Sequence, residues 1–148
     1  MDALRRVVQA ARQSSAQCER LSGLTAAQLL ILKSIKANPG LSINELAAVT
    51  LTHQASVSEV VGRLEIRGLL IRERSQEDAR RRELQLTNSG LDALKQPVET
   101  VQERLINVMD RLPPDVMEHL ADGLELLIRE AGFGQEPPPM LFEDGKEP

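Results

Sequence analysis

Leu51-Thr52-His53-Gln54-Ala55-Ser56-Val57-Ser58-Glu59-Val60-Val61-Gly62-Arg63-Leu64-Glu65-Ile66-Arg67-Gly68 is the stretch whose reading decides the fold, together with the residues that follow it to Thr87. Val57, Val60, Val61 and Leu64 recur at helical spacing, which predicts a helix with one buried face. The other face then carries Gln54, Ala55, Ser56, Ser58, Glu59 and Arg63, small or hydrogen-bonding residues apart from the two charged ones. Gly68 stands where a helix end favours a left-handed residue. Beyond it, Leu69-Leu70-Ile71 and Leu84-Gln85-Leu86 read as two short strands, joined by a charged tip from Gln76 to Arg82. A helix with a small polar face followed at once by a basic hairpin is the outline of a winged helix. That arrangement suits the reading of double-stranded DNA.

The elements upstream complete a helix-turn-helix. Thr25-Ala26-Ala27-Gln28 has the form of a capping box, and it opens a helix through Leu29, Leu30, Leu32 and Ile35. Asn38-Pro39-Gly40 supplies turn chemistry, after which Leu41-Ser42 can add a short strand. Ser42-Ile43-Asn44-Glu45 is a second capping box and begins a brief helix to about Val49. Thr50-Leu51-Thr52 is then the turn, with Thr52 expected as the N-cap of the groove-facing helix.

Three further helical segments flank this core. Asp2 to about Glu19 has Leu4, Val7, Val8 and Ala11 on one side. Thr87 or Asn88 caps a long stripe through Leu91, Leu94, Val98, Val101, Leu105, Val108 and Leu112, which Pro97 should kink or divide. Pro113-Pro114-Asp115 starts a last helix, with Val116, Leu120, Leu124, Leu127, Ile128 and Ala131 on its apolar side and Gly132 at its end. A single chain offers these faces little cover, so a two-fold homodimer is the expected way to bury them, with an intramolecular bundle as the competing reading.

The expected fold class is mainly α with a small β wing. Its parts are an N-terminal dimerisation helix (1–23), a winged helix-turn-helix (24–87), C-terminal dimerisation helices (88–134) and a flexible acidic tail (135–148). Within that tail Met140-Leu141-Phe142 forms a small apolar island that could dock, although exposure is the usual fate of such islands.

Composition narrows the function. With 148 residues the chain can bury about 70% of its unfolded surface without a staple. It has no Trp and no Tyr, and Phe133 and Phe142 both lie near the C-terminus. Stacking of single-stranded bases on aromatic platforms therefore has nothing to work with. The net charge of −4 argues weakly against nucleic acid, but part of the surplus acid lies in the tail, in Glu136, Glu143, Asp144 and Glu147. Affinity for DNA should rest on a few well-placed arginines.

His53 and His119 are far apart, and no metal-ligand cluster, phosphate loop or nucleophile–base pairing stands out. No catalytic residue, cofactor or metal is expected, and the chain does not read as an enzyme. No stretch approaches the roughly 20 apolar residues that span a bilayer, so no membrane partner is expected and the location is cytoplasmic. Cys18 is alone and cannot form an internal disulfide; it reads as a small buried hydrophobe rather than a redox sensor.

Several motifs resemble the MarR (multiple-antibiotic-resistance regulator) family. Leu24 to Leu32 and Leu41 to Ala47 look like the family's opening, and Ser56-Val57-Ser58 to Glu65, closed by Gly68-Leu69, resembles its recognition helix. Asp78-Ala79-Arg80 followed by Leu84-Gln85-Leu86-Thr87-Asn88-Ser89-Gly90 resembles its wing signature, Asp-x-Arg ahead of Leu-x-Leu-Thr-x-x-Gly. The resemblance implies a homodimeric regulator, usually a repressor, on a pseudo-palindromic operator. It implies that Arg80 enters the minor groove, oriented by an ion pair to Asp78, with Arg81 and Arg82 as phosphate contacts.

On the recognition helix, Gln54, Ser56 and Ser58 are the expected groove-facing donors and acceptors. Thr52 and His53 would lie near the phosphates at its positive end. Arg63 would reach a phosphate or an intramolecular acid. Glu59 departs from the family, which often has a basic residue there; Arg63 at i+4 is its natural partner. Many relatives bind phenolic or carboxylate effectors in a cleft between the DNA lobe and the dimer base; here no aromatic lining identifies one. Peroxide-sensing relatives pair a first-helix cysteine with tyrosines, and this chain has none. The competing reading is a winged helix that serves protein assembly and no longer engages DNA, which the near-neutral reading head favours.

Overall fold

A computed structural model describes residues 1–75, 78, 80–133 and 140. In chain order the elements are α1 (Asp2–Ser22), α2 (Ala26–Ala37), α3 (Ile43–Val49), α4 (Gln54–Ile66), β1 (Leu70–Arg74), β2 (Arg82–Leu86), α5 (Asn88–Ala93), α6 (Val101–Met109) and α7 (Pro114–Glu130). This is the expected winged helix with flanking helices. The start of each helix in the reading head is chemically specified. Thr25 and Gln28 form a reciprocal capping box on α2, and Ser42 and Glu45 do the same on α3. Gly68 closes the segment after α4 at φ +69°, a backbone conformation costly for any residue with a Cβ.

The core is aliphatic. Leu29, Ile31, Leu32 and Ile35 of α2 pack with Leu46 of α3 and Val57, Val60, Val61 and Leu64 of α4, closed by Leu70 and Leu84 from the hairpin. Cys18 is buried in the same cluster, as a small hydrophobe would be. Met140 lies there too, 2% exposed, so this residue of the expected tail docks rather than projects into solvent. The rest of the acidic tail, 135–148, lies outside the described residues.

Three local expectations are adjusted. Leu41-Ser42 does not form a strand; the sheet has two strands, and Leu41 contributes one bond, its carbonyl accepting from the Leu84 N–H at 2.9 Å. Pro97 divides the long stripe: α5 ends at Ala93 and α6 starts at Val101 under a Thr100–Glu103 capping box. Thr52 is not the cap of α4. His53 holds the N-cap position without a side-chain bond, and the Thr52 hydroxyl donates back to the Thr50 carbonyl at 2.9 Å.

The outer helices leave their apolar faces open. Leu4, Val7 and Val8 of α1 are between 43% and 48% exposed, and no residue of α7 is buried. Among the described residues no helix is long and apolar enough to cross a membrane.

Candidate nucleic-acid interface

Helix α4 is fixed by the burial of Val57, Val60, Val61 and Leu64, which leaves an outer face of Gln54, Ala55, Ser58, Glu59, Gly62 and Arg63. Gln54 is exposed and Ser58 half-buried. Ser56 is not on that face: it is 6% exposed. It precedes Val60 by four residues and so falls on the buried stripe, a relation the helical repeat already contains. His53 is exposed at the start of α4, whereas Thr52 is half-buried in the turn. Arg63 reaches an intramolecular acid: its Nη2 lies 2.5 Å from Glu59 Oε1, so the acid that departs from the family pattern is paired one turn away.

The hairpin is antiparallel, with Leu70 opposite Leu86 and Arg74 opposite Arg82. It is tied to its surroundings at mid-strand and at its base. Arg72 Nε lies 3.2 Å from Glu65 Oε2, joining β1 to the last turn of α4. At the hairpin base the Thr87 hydroxyl donates to the Gly68 carbonyl at 2.7 Å and accepts from the Gly90 N–H at 3.1 Å.

Arg81 differs most from its expected role. Its Nη2 donates to Glu45 Oε2 at 2.8 Å and to the Gly40 carbonyl at 3.1 Å, while its Nε lies 3.7 Å from Glu83. It therefore anchors the wing to the start of α3. Glu45 is suited to this. The Ser42 backbone N–H and hydroxyl both donate to its Oε2 at 2.8 Å. Those bonds, with the Arg81 guanidinium adding to them, hold its carboxyl below the ordinary value of 4.5.

At the tip, the Asp78 carboxylate accepts from the Arg80 backbone N–H at 2.9 Å, and the Asp78 carbonyl accepts from the Arg81 N–H at 2.9 Å. Asp78 thus shapes the turn through the backbone. Among the described residues it makes no ion pair with the Arg80 guanidinium, so the expected orienting salt bridge is replaced by an Asx turn. Arg80 is exposed. Gln76, Glu77 and Ala79, also in the expected tip, lie outside the described residues.

Arg82 is exposed on β2, directly across from exposed Arg74. Like charges facing each other across strands repel, and an anion placed beside them relieves the repulsion. Arg74 belongs with the candidate contacts, although the sequence reading passed over it. Its pairing with Arg82 depends on the hairpin register, which composition does not reveal.

The matches to known proteins agree with this geometry. Residues 22–81, which hold the helix-turn-helix and most of the wing, match the MarR family. A protein of Thauera aromatica, whose name assigns it to transcriptional regulation of the hcr operon, is 33% identical over 97 residues. Over the helix-turn-helix and the start of the wing, the chain is similar to the MarR family. That alignment takes in 66% of this chain, and the chain spans 58% of the relative's length.

Among solved structures, the chain resembles Bordetella bronchiseptica BpsR, a protein whose DNA binding is regulated by 6-hydroxynicotinic acid. The identity is 26%, covering 90% of this chain and 93% of that one at a TM-score of 0.59. It shares its fold with Staphylococcus aureus MepR in a DNA complex, at 22% identity, 86% and 95% coverage and a TM-score of 0.58. The MarR family consists of transcription regulators, not enzymes.

Proposed function

We propose that this chain is a cytoplasmic transcriptional regulator, acting as a repressor, that binds a pseudo-palindromic operator in double-stranded DNA as a homodimer. Helix α4 lies in the major groove, presenting Gln54 and Ser58 to base edges, with His53 near the backbone. Arg80 enters the minor groove, and Arg74 and Arg82 meet phosphates. One observation carries the reading. The polar face of α4 is open, and the wing that follows it carries three exposed arginines, Arg74, Arg80 and Arg82, that have no acid partner among the described residues.

The open stripes on α1 and α7 support the homodimer. Val116, Leu120, Leu124, Leu127 and Ile128 are each between 42% and 49% exposed, and two copies of the chain would cover them against each other. Two α4 helices related by a two-fold axis then read two half-sites. An effector has a candidate seat in an open groove of about 310 Å³ between α2, α3 and α6, bordered by Leu30, Lys33, Val49, Glu103 and Ile106. BpsR's link to 6-hydroxynicotinic acid makes a small aromatic carboxylate the first class to try.

Fluorescence anisotropy tests the proposal directly. The protein is titrated against its own upstream intergenic DNA and against a scrambled duplex, at two salt concentrations. Selective binding by a dimer, weakening steeply with salt, is the expected result. The second reading, a protein-assembly winged helix, is favoured by Ile66, 89% exposed at the end of α4. Absence of selective binding at low salt would favour that alternative.

A further inference from the structure

Gln102 stands apart from the wing and the groove-facing residues, yet it reaches the turn that leads into α4. It lies at the second position of α6 and is 8% exposed. Its Nε2 donates to the Thr50 carbonyl at 3.2 Å and to the Thr52 hydroxyl at 3.4 Å. A carbonyl only accepts, so the nitrogen must face Thr50, which leaves Oε1 pointing the other way. Oε1 is buried and has no hydrogen-bond partner among the described residues. Leaving such an atom unpaired costs stability, so the side chain is not optimised for the fold alone.

The turn it holds is unusual in two ways. Leu51, between the two threonines, sits at φ +50°, a left-handed conformation disfavoured for a residue with a Cβ. The helix it introduces has no side-chain cap of its own. The start of α4 is therefore aimed by the turn, which is tied to α3 by the Thr52 N–H donating to the Ala47 carbonyl at 2.9 Å and to α6 by Gln102.

The other end of the connection is rigid. The Lys33 ammonium of α2 donates to the Val98 carbonyl and, at 2.8 Å, to Glu103 Oε2, while the Val101 N–H donates to Ser14 Oγ of α1 at 2.9 Å. The first turn of α6 is thus fixed to α1 and α2.

We infer that Gln102 is a positioning residue for DNA reading: it ties the N-terminus of α4 to the flanking helices and so sets the angle at which the recognition helix meets the groove. This rests on the DNA-binding reading proposed above, and it adds a residue outside the helix-turn-helix and wing to that function.

Gln102→Met tests it. Methionine keeps the volume, removes both turn bonds and also removes the orphaned Oε1, so the denaturation midpoint should stay at the wild-type value. Affinity for the selected duplex should fall about tenfold, while affinity for scrambled duplex, held by the wing arginines, should not change. Gln102→Glu, which keeps the shape without the N–H donors, should lose at least as much selectivity. Amide hydrogen exchange at Thr52 and Val57, whose N–H groups donate to the Ala47 carbonyl at 2.9 Å and the His53 carbonyl at 3.1 Å, should quicken in both variants.

Wild-type selectivity in Gln102→Met would overturn the inference. So would failure of that variant to fold, or affinity lost for both duplexes in proportion to stability. Unchanged exchange at the start of α4 would also overturn it, whatever the wild type does with DNA. Absence of selective binding by the wild type, with exchange still quickened in the variants, would instead refute the DNA reading and leave the positioning contact standing.

Discussion

Replacing Gly90 with alanine should destabilise the protein by about 2 kcal/mol, although the same change in most helices is stabilising. Gly90 is buried in α5, and a Cβ built there falls 2.0 Å from the Leu69 carbonyl oxygen and 3.1 Å from its carbon. The atoms on both sides of the clash are backbone, so no side chain can rotate away. Leu69 is held as well, its carbonyl accepting the Thr87 N–H at 3.2 Å. Relief requires α5 to move off the start of β1.

Overpacking of this kind costs about 1–3 kcal/mol, and an immobile neighbour puts this case near the top of that range. Against it stands a gain of up to about 1 kcal/mol from alanine's better helix propensity. The net loss of about 2 kcal/mol is a large part of a typical domain's stability of about 5–15 kcal/mol. Urea denaturation at matched protein concentration measures it, with a midpoint about 1 M lower as the expected result for a slope near 2 kcal/mol/M. Gly62→Ala is the control: nothing lies within 4 Å of its added Cβ, so it should be stabilising by about 0.5–1 kcal/mol. A Gly90→Ala protein as stable as the wild type would refute the close approach of α5 to β1. The glycine that ends the Leu-x-Leu-Thr-x-x-Gly signature would then need another explanation.

The remaining predictions concern the wing, acid and the thiol. Arg80→Ala should weaken operator binding by about 1–3 kcal/mol and leave the denaturation midpoint unchanged, whereas Arg81→Ala should loosen the wing, seen as faster amide exchange in β2. Equal operator affinity in Arg80→Ala would remove that residue from the interface. Glu45 has a folded-state pKa below its ordinary 4.5, so the stability it contributes is present above that value and is lost as pH falls through the lower folded value. Gln at position 45 should flatten that acid limb, and an identical pH profile in Glu45→Gln would exclude the contact. Burial pushes the Cys18 thiol up, so it should resist a disulfide-exchange reagent at pH 7.5 until the protein is unfolded; rapid native-state labelling would contradict its burial.

What was legible in the sequence is the part of the fold written in neighbouring residues. The capping boxes at Thr25 and Ser42, the glycine stop at Gly68 and the break around Pro97 each depend on a few consecutive side chains and their own backbone. The helical period of Val57, Val60, Val61 and Leu64 likewise names the buried face of α4 without reference to anything distant. That period also buries Ser56, four residues before Val60, so its place off the groove face is already written in the sequence.

Tertiary structure alone decided which arginines are available. Arg80, Arg81 and Arg82 are adjacent and chemically identical, yet the fold brings Glu45 and the Gly40 carbonyl to Arg81 and no acid among the described residues to the other two. The hairpin register placed Arg74 opposite Arg82, and the packing of α6 brought Gln102 to a turn fifty-two residues earlier. Local sequence sets backbone preference and the face a helix must bury. It does not encode which distant partner meets a given charge or amide, because that depends on how the buried faces pack together.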